Sequence, residues 1–468
     1  MNLHDLTITS TKKALKDKEF SAVELTKAYL ERIEKLDSNL NAFVTVTKEK
    51  ALEDAKKADE LLADKQDLPL LGIPFSIKEN FSTNGIRTTA SSKVLDNYIP
   101  PYNATVVQRL QNAGIVLLGK TNMDAWAHGS STETSDYGVT HNPWDIKRLP
   151  GGSSGGAAAS LAADQTLIAI GSETAGSVRG PASWCGTVGL KPTYGRVSRY
   201  GVIAMGSSLD SPGPFTKTVE DAATVLQILA GKDEYDATTS SNPVPNYLEN
   251  LKTPRKMTIG ISDDYFTGVD KETVKGVEEA IKLLEKQGHT VKKVNLFNPK
   301  YAIDVYTIIQ RSEVSSNLAR MDGIRFGNDR SFFGDEAKRR IMLGTYALST
   351  GYYDAYYKKA QQVRTLIIRD FAKAYETVDV IIGPTLPTTA PKIGESAKSP
   401  MFGELMDMLT EPSSIAGLSG INMPVGFDSL HLPIGMQIIG PQFGEETILN
   451  LAYQYEKETN WRKEKPKL

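Results

Sequence analysis

Two glycine-rich turns, separated by a short helix and a strand, constrain the fold of this chain more than any other feature. The first turn covers residues 151–156 (GGSSGG) and the second covers residues 171–177 (GSETAGS). Between them, the alanine-rich stretch 157–163 predicts a helix and the apolar stretch 166–170 predicts a strand. Each turn places a serine hydroxyl beside uncovered backbone N–H groups, which suits attack on a carbonyl and stabilisation of the resulting oxyanion.

Apolar strands alternate with helices around these turns, and the alternation predicts an α/β fold. In the first half we expect helices over 21–36, 48–64, 104–113 and 219–230, and strands over 71–77 and 115–118. A capping box of Ser21 and Glu24 begins the first of these helices, and Thr218 is the predicted N-cap of the last. We therefore expect a large, mixed and mostly parallel β-sheet covered by helices on both faces.

A polar stretch, residues 231–254, separates this half from a second block. There we expect strands over 257–261, 290–295, 378–383 and 432–439, and helices over 271–287, 301–318, 335–349 and 354–376. The last two strands are short, apolar and bounded by Gly and Pro, so we expect them to rejoin the first sheet.

The organisation that we predict is a single domain over residues 1–468. Residues 1–65 form a helical N-terminal layer, residues 66–230 form the catalytic core, and residues 255–468 complete the sheet.

The balance of charge argues against a nucleic-acid-binding surface on this chain. It has 54 Lys and Arg residues against 56 Asp and Glu residues, and its net charge is −2. The single cysteine, Cys185, lies in an apolar setting, which predicts a packed structural thiol and a reducing compartment. No apolar stretch approaches the roughly 18 residues of a membrane span, and no signal peptide is recognisable. We therefore expect a cytoplasmic protein with no membrane contact.

The candidate catalytic groups each have a plain structural alternative. Lys78 ends an apolar run, where a lysine commonly covers the strand with its stem and leaves its amine in water. Enclosed by apolar walls, the same amine would have a pKa near neutrality and would act as a base. Ser153, Ser154 and Ser177 are each in a position to cap a helix or a turn. The residues themselves do not decide between Ser153 and Ser154.

Three other motifs do not fit their context. Residues 114–121 (GIVLLGKT) match the phosphate-loop pattern, but their apolar middle predicts a buried strand rather than a flexible loop. Residues 151–155 match the nucleophile elbow, yet no buried strand precedes them. Only His128 is plausible as the base of a histidine-dependent triad. Histidines and cysteines are too few, and wrongly spaced, to predict a metal site.

Several of these segments resemble the amidase signature family. They are 72–78 (GIPFSIK), 118–123 (LGKTNM), 151–156, 171–182 (GSETAGSVRGPA) and 185–193 (CGTVGLKPT). The resemblance runs from about residue 20 to residue 460, and these motifs are highly specific. It implies the amidase-signature α/β fold.

The resemblance also implies roles for the candidate residues. Lys78 would be the base, Ser153 the relay and Ser177 the nucleophile, with a cis peptide bond between Gly152 and Ser153. The oxyanion would be held by the backbone N–H groups of Thr174, Ala175, Gly176 and Ser177.

Further stretches are similar to the branch of the family that supplies ammonia in tRNA-dependent amidotransferases. They are residues 129–135, 191–199, 338–344 and 351–359, and generic amidases do not share the last two. In that branch, Tyr306, Arg340 and Asp407 would bind the α-amino and α-carboxylate groups of glutamine. An arginine fork suits the carboxylate, and an aspartate suits the ammonium.

This branch implies hydrolysis of glutamine, with the ammonia converting Glu-tRNA(Gln), or Asp-tRNA(Asn), to its amidated form. The chain itself would need no cofactor. It would join the B and C subunits of the amidotransferase in a heterotrimer, where a partner would use ATP and Mg and hold the misacylated tRNA. Two alternatives stay open: a stand-alone amidase for small amides, and a non-catalytic assembly protein.

The chain departs from the branch in three places. Ala175 stands where glycine is common, Gly180 stands where glutamine is usual, and the segment 326–337 is short. The first bears on the oxyanion turn. The third bears on the rim of the glutamine pocket and on partner contacts.

Overall fold

The computed structural model describes residues 3–468, and the strands in this range form one eleven-stranded sheet. The strands are Phe43–Val46 (β1), Pro74–Lys78 (β2), Val116–Thr121 (β3), Ile168–Glu173 (β4), Val188–Lys191 (β5), Ser211–Thr216 (β6), Thr258–Ile261 (β7), Thr290–Lys293 (β8), Val380–Pro384 (β9), Ser419–Phe427 (β10) and Pro433–Gly440 (β11). Their order across the sheet is β1-β3-β2-β4-β6-β5-β10-β11-β9-β7-β8. The strands of the second half rejoin the first sheet, as expected.

The sheet is mixed, and its parallel pairs lie in two groups. One group is β3–β2–β4 and the other is β9–β7–β8. The remaining neighbours, from β4 through β6, β5, β10 and β11 to β9, pair antiparallel, and so do β1 and β3. The connection between β10 and β11 covers only residues 428–432, and so short a connection joins antiparallel strands.

Helices connect the strands and cover the sheet. They are Ile8–Lys16 (α1), Ala22–Leu40 (α2), Lys48–Ala63 (α3), Thr105–Asn112 (α4), Gly155–Ala162 (α5), Arg179–Cys185 (α6), Val219–Leu229 (α7), Tyr247–Leu251 (α8), Lys271–Lys286 (α9), Lys300–Leu318 (α10), Asp335–Leu348 (α11), Lys359–Ala374 (α12), Phe402–Asp407 (α13), Glu411–Ile415 (α14) and Glu445–Lys457 (α15). Every residue of β2, β3, β4, β9 and β11 is buried, so both faces of these strands are covered. Among residues 3–468, no helix combines the length and apolar character needed to cross a membrane.

The predicted helix starts are confirmed in detail. The hydroxyl of Ser21 accepts from the N–H of Glu24 at 3.1 Å, and the Glu24 carboxylate accepts from the N–H of Ser21 at 2.8 Å. Thr218 caps α7 by accepting from the N–H of Asp221 at 3.1 Å. Local sequence chemistry therefore sets both of these helix N-termini.

Several elements differ from expectation, and the four unpredicted strands are β1, β5, β6 and β10. The predicted helix 354–376 begins as a π-helical segment, Asp354–Lys358, and continues as α12. Strand β6 was not predicted, since Pro212 and Pro214 argue against a strand inside a sheet. It is held by antiparallel pairing with β4 on one side and with β5 on the other.

The phosphate-loop pattern is a strand, as predicted. Residues 116–121 form β3, and the amine of Lys120 is buried. This amine donates to the carbonyl of Phe81 at 2.7 Å and to the hydroxyl of Thr88 at 2.8 Å, and it lies 3.7 Å from the carboxylate of Glu79. These contacts hold Lys120 in the core, and the residue lies in a strand rather than in the loop that phosphate binding requires.

Candidate active site

Two neighbouring parallel strands bring the predicted catalytic segments to one edge of the sheet. Strands β2 and β4 run side by side with Ile77 opposite Ile170. Lys78 is the last residue of β2, and the turn 174–177 follows the last residue of β4. Carboxyl ends of adjacent parallel strands are the usual position of a ligand site in α/β folds.

Lys78 is fully buried at this edge. Its amine lies 2.7 Å from the hydroxyl oxygen of Ser153 and donates to the carbonyl of Ser172 at 3.1 Å. Burial lowers the pKa of Lys78 to about 7, against the opposing attraction of Asp124 and other carboxylates. A large fraction of this amine is therefore neutral near pH 7, and a neutral amine accepts a proton.

The structure distinguishes the two serines of the first turn. The hydroxyl of Ser154 donates to the carbonyl of Ser172 at 3.2 Å, while the hydroxyl of Ser153 contacts Lys78. The peptide bond between Gly152 and Ser153 is cis, as the resemblance implies. Gly151 fits closely against α6, since a Cβ at this position would overlap the Cα of Pro181. The first turn therefore lies against the helix that follows the second turn.

The second turn presents Ser177 and a row of free backbone donors. Ser177 is buried, and its hydroxyl has no hydrogen-bond partner within residues 3–468. In the same part of the chain, the N–H groups of Thr174, Ala175, Gly176 and Ser177 also form no hydrogen bond. Buried N–H groups are normally paired, so four consecutive free donors mark a site for an anionic or carbonyl oxygen.

A buried ion pair holds this second turn in place. The guanidinium of Arg179 binds the carboxylate of Glu173 at 2.6 Å, and the same carboxylate accepts from the N–H of Val178 at 3.0 Å. Arg179 also donates to the carbonyl of Ala175 at 3.2 Å, and Ser414 donates to that carbonyl at 2.6 Å. With its carbonyl fixed in this way, the peptide that follows Ala175 has one orientation. The turn is held in this way with Ala175 at the position where glycine is common.

Asp407, at the end of α13, lies against the second turn. A Cβ at position 176 would overlap the Oδ1 atom of Asp407, so this carboxylate contacts the backbone of Gly176. Its Oδ2 atom accepts from the hydroxyl of Ser130 at 2.7 Å, and its Oδ1 atom has no partner within residues 3–468. Burial raises the pKa of Asp407 to about 8, against the hydrogen bond from Ser130.

Arg340 and Tyr306 complete the predicted pocket from α11 and α10. Arg340 is buried, its Nε donates to Glu336 at 2.5 Å, and its Nη1 has no partner in the described residues. Tyr306 is also buried, and its helix, α10, packs against both α11 and α13. The three residues that were predicted to bind the head of glutamine therefore lie on helices that pack together.

Sequence reasoning missed several polar groups around this pocket. They are Arg311 and Gln310 on α10, Glu404 on α13 and Glu411 on α14, all buried. Arg311 binds Glu404 at 2.6 Å. No sequence motif signals these positions. Gln310, Arg311 and Glu411 share buried side-chain atoms that have no hydrogen-bond partner within residues 3–468, a feature visible only in three dimensions.

The alternative residues are placed differently. His128 is buried, and both of its ring nitrogens lack a partner within residues 3–468. Burial, with Arg340 and other arginines nearby, holds the pKa of His128 well below its usual value. Cys185 is buried and directs its Sγ to the carbonyl of Pro150 at 3.3 Å, and burial raises the pKa of this thiol. A structural thiol is therefore confirmed.

Comparison with known proteins decides the family. The model of the family described as Amidase matches residues 24–449. The chain belongs to the amidase family. It is 52% identical to the A subunit of glutamyl-tRNA(Gln) amidotransferase from Caldanaerobacter subterraneus, over 98% of this chain and 97% of that protein. It is 50% identical to the protein of the same name from Carboxydothermus hydrogenoformans, with both chains fully covered.

Solved amidase-family structures share the fold. The A subunit of glutamyl-tRNA(Gln) amidotransferase from Thermotoga maritima superposes with a TM-score of 0.84 at 40% identity, covering 98% of this chain and 96% of that chain. A 6-aminohexanoate cyclic dimer hydrolase superposes with a TM-score of 0.90 at 26% identity, covering 100% of this chain and 99% of that chain. The predicted amidase-signature α/β fold is confirmed.

Proposed function

We propose that this amidase-family chain is the glutaminase component of a tRNA-dependent amidotransferase. The observation that carries the proposal is the buried contact between Lys78 and Ser153, beside a turn whose N–H groups are free. The relatives at about half identity over their whole length are named as the A subunit of such an enzyme, which supports this assignment.

In the first half-reaction, Ser177 is the nucleophile. The neutral amine of Lys78 accepts the proton of Ser153, and Ser153 accepts the proton of Ser177. The Oγ of Ser177 forms a bond to the side-chain carbonyl carbon of glutamine, and the carbonyl electron pair moves to the oxygen. The N–H groups of residues 174–177 stabilise this oxyanion, and one such donor contributes roughly 3–4 kcal/mol.

The intermediate then collapses and releases ammonia. The bond between carbon and nitrogen breaks, and Ser153 returns a proton to the departing nitrogen and is reprotonated from Lys78. The product is a γ-glutamyl ester on Ser177. Water attacks this ester while the same relay accepts its proton. The bond between the acyl carbon and the Ser177 Oγ then breaks, the relay returns the proton to this Oγ, and glutamate leaves.

The pocket fits the head of glutamine chemically. Arg340 has a free Nη1 for the α-carboxylate, and Asp407 has a free Oδ1 for the α-ammonium. An incoming ammonium favours the ionised form of Asp407 and so reverses the effect of burial on its pKa. Both groups lie deep in the protein, where charge-assisted hydrogen bonds discriminate strongly.

The released ammonia requires a partner. We propose that the B and C subunits assemble with this chain, that a partner uses ATP and Mg to activate misacylated tRNA, and that the partner holds the tRNA. The nearly balanced charge of this chain supports a division of labour in which RNA contacts lie elsewhere.

An exposed aromatic surface supports such an assembly. It consists of Tyr346, Tyr352 and Tyr356, which are 40–48% exposed. The Tyr352 ring lies 4.3 Å from that of Tyr346 and 6.0 Å from that of Tyr356. Tyr346 is on α11, the helix that also carries the buried Arg340. Tyrosines are enriched at protein interfaces, and we assign this surface to the partner that receives ammonia.

The test is ammonia release from glutamine by the chain reconstituted with its partners. The proposal predicts release that Ser177→Ala abolishes. Rapid hydrolysis of varied small amides by the isolated chain, with glutamine untouched, would indicate a stand-alone amidase. Unchanged ammonia release by the Ser177→Ala complex would indicate a non-catalytic assembly protein.

A further inference from the structure

The glutamine pocket contains a second buried carboxyl group with no bonding partner. Glu411 is the first residue of α14 and is fully buried. Neither of its carboxyl oxygens has a hydrogen-bond partner within residues 3–468. Buried carboxyl oxygens are nearly always paired, so an orphaned pair of oxygens points to a ligand that is bound there during function.

Glu411 lies beside the residues already assigned to the substrate. Helix α14 packs against α10, the helix that carries Tyr306. Thr410, which precedes Glu411, lies with Asp407 against the second turn, since a Cβ at position 176 would overlap both the Thr410 hydroxyl and the Asp407 Oδ1 atom. Glu411 therefore begins α14 beside Asp407, and the Asp407 carboxylate adds to the effect of burial in raising the pKa of Glu411.

The arginines near these two carboxyls form ion pairs with other carboxylates. Arg340 is paired with Glu336, and Arg311 is paired with Glu404. Within residues 3–468, no lysine, arginine or histidine forms an ion pair with Asp407 or Glu411. Burial raises the pKa of both carboxyls, and repulsion adds to it, from Glu173 and Glu404 at Asp407 and from Asp407 and Glu404 at Glu411. Such a pair favours a positive group, and the ammonium of a ligand would supply one that can donate hydrogen bonds to both carboxyls.

We infer that Glu411 is a specificity-determining residue that binds the α-ammonium group of the substrate together with Asp407. This inference rests on the proposed function. A primary ammonium has three N–H donors. Ser130 occupies one oxygen of Asp407, so the other oxygen and the two oxygens of Glu411 are available for them. An amide without an ammonium leaves both carboxyls unpaired, and such a site rejects it.

The test compares glutamine with glutaramic acid, which lacks only the α-amino group. The variant Glu411→Gln is nearly isosteric and removes the charge. We expect its kcat/KM for glutamine to fall by about 30-fold or more, mainly through KM, while its kcat/KM for glutaramic acid changes by less than about threefold. The matched control is Glu456→Gln. Glu456 is a half-buried glutamate on α15, and it accepts from the N–H of Val219, away from α10, α13 and α14.

The outcomes separate this inference from the proposed function. An equal loss for both substrates would show that Glu411 is structural, while glutamine hydrolysis by the wild type would still support the proposed function. Failure of the wild-type complex to release ammonia from glutamine would overturn both. Because Glu411 has no partner, Glu411→Gln and Glu411→Met are expected to unfold at the same or a higher temperature without glutamine. Loss of folding in both variants would overturn the inference.

Discussion

The amine of Lys78 lies 2.7 Å from the hydroxyl of Ser153, and within residues 3–468 no carboxylate forms an ion pair with it. Lys120, one strand away and equally buried, differs in having Glu79 at 3.7 Å. Burial lowers the pKa of Lys78 to about 7 and that of Lys120 to about 8, against the attraction of Glu79 for the latter. Lys78 is thus suited to accept a proton from a hydroxyl, while Lys120 is tied to structure.

The pH dependence of glutamine hydrolysis follows from this amine. Lys78 acts as a base only when neutral, so kcat for ammonia release is expected to rise with pH through about 7 and to level off above it. The measurement is a pH profile of single-turnover acylation. A profile that is flat between pH 6 and 8, or one that falls with rising pH, would remove Lys78 from the role of base.

Alanine substitutions of the serines in the two turns are expected to lower kcat by very different factors. Ser177→Ala is expected to lower kcat by more than about 10⁴-fold, and Ser153→Ala by about 10²–10⁴-fold, because one loses the nucleophile and the other the proton relay. Ser154→Ala is the matched control, since its hydroxyl donates to the carbonyl of Ser172 and does not contact Lys78. Rates of ammonia release check these values. A larger loss for Ser154→Ala than for Ser153→Ala would reverse the assignment.

The ion pair between Glu173 and Arg179 is expected to support both stability and rate. Glu173→Gln leaves the buried guanidinium of Arg179 without its counterion, and breaking such a pair costs about 3–5 kcal/mol. We expect a comparable fall in the free energy of unfolding in urea, together with a lower kcat. Lys50→Ala is the control, because it removes an exposed pair with Asp54 that is worth under about 1 kcal/mol. Equal effects of the two variants would contradict a special role for Glu173.

The exposed aromatic surface is expected to bind the partner that receives ammonia. Replacing Tyr352 and Tyr356 together by lysine is expected to weaken assembly by at least tenfold in Kd, because large aromatic side chains dominate interface energies. Titration of the partner against the labelled chain measures this effect. The control is Leu430→Lys, at a residue that is 64% exposed in the loop between β10 and β11. Unchanged assembly of the tyrosine variant, with its folding intact, would place the interface elsewhere.

The sequence predicted most of the framework because its signals are local. Side-chain caps at Ser21 and Thr218 determine where two helices begin. The apolar run that ends at Lys78 determines a buried strand. Strand β6 was not predicted because proline is unfavourable inside a sheet. Antiparallel pairing with β4 and with β5 nevertheless holds this segment in the sheet.

The site was predictable only in part. The glycine-rich turns indicated serine chemistry, but only packing shows that Ser154 points to the carbonyl of Ser172. Glu173 and Arg179 belong to a motif that the sequence singled out, but the sequence assigned neither residue a role. Their ion pair is visible only in the folded turn. Glu404 and Glu411 flank Asp407, which the resemblance assigned to the glutamine pocket, but no sequence motif marks either glutamate.

The most direct test of the account is to identify the residue that carries the acyl group. The complex is mixed with glutamine, quenched with acid within one turnover, digested and analysed by mass spectrometry. The proposed mechanism predicts a γ-glutamyl ester on the hydroxyl of Ser177 that accumulates and decays, and that is absent from Ser177→Ala. An ester on Ser153 or Ser154, or ammonia release at the normal rate with no ester on any serine, would contradict it.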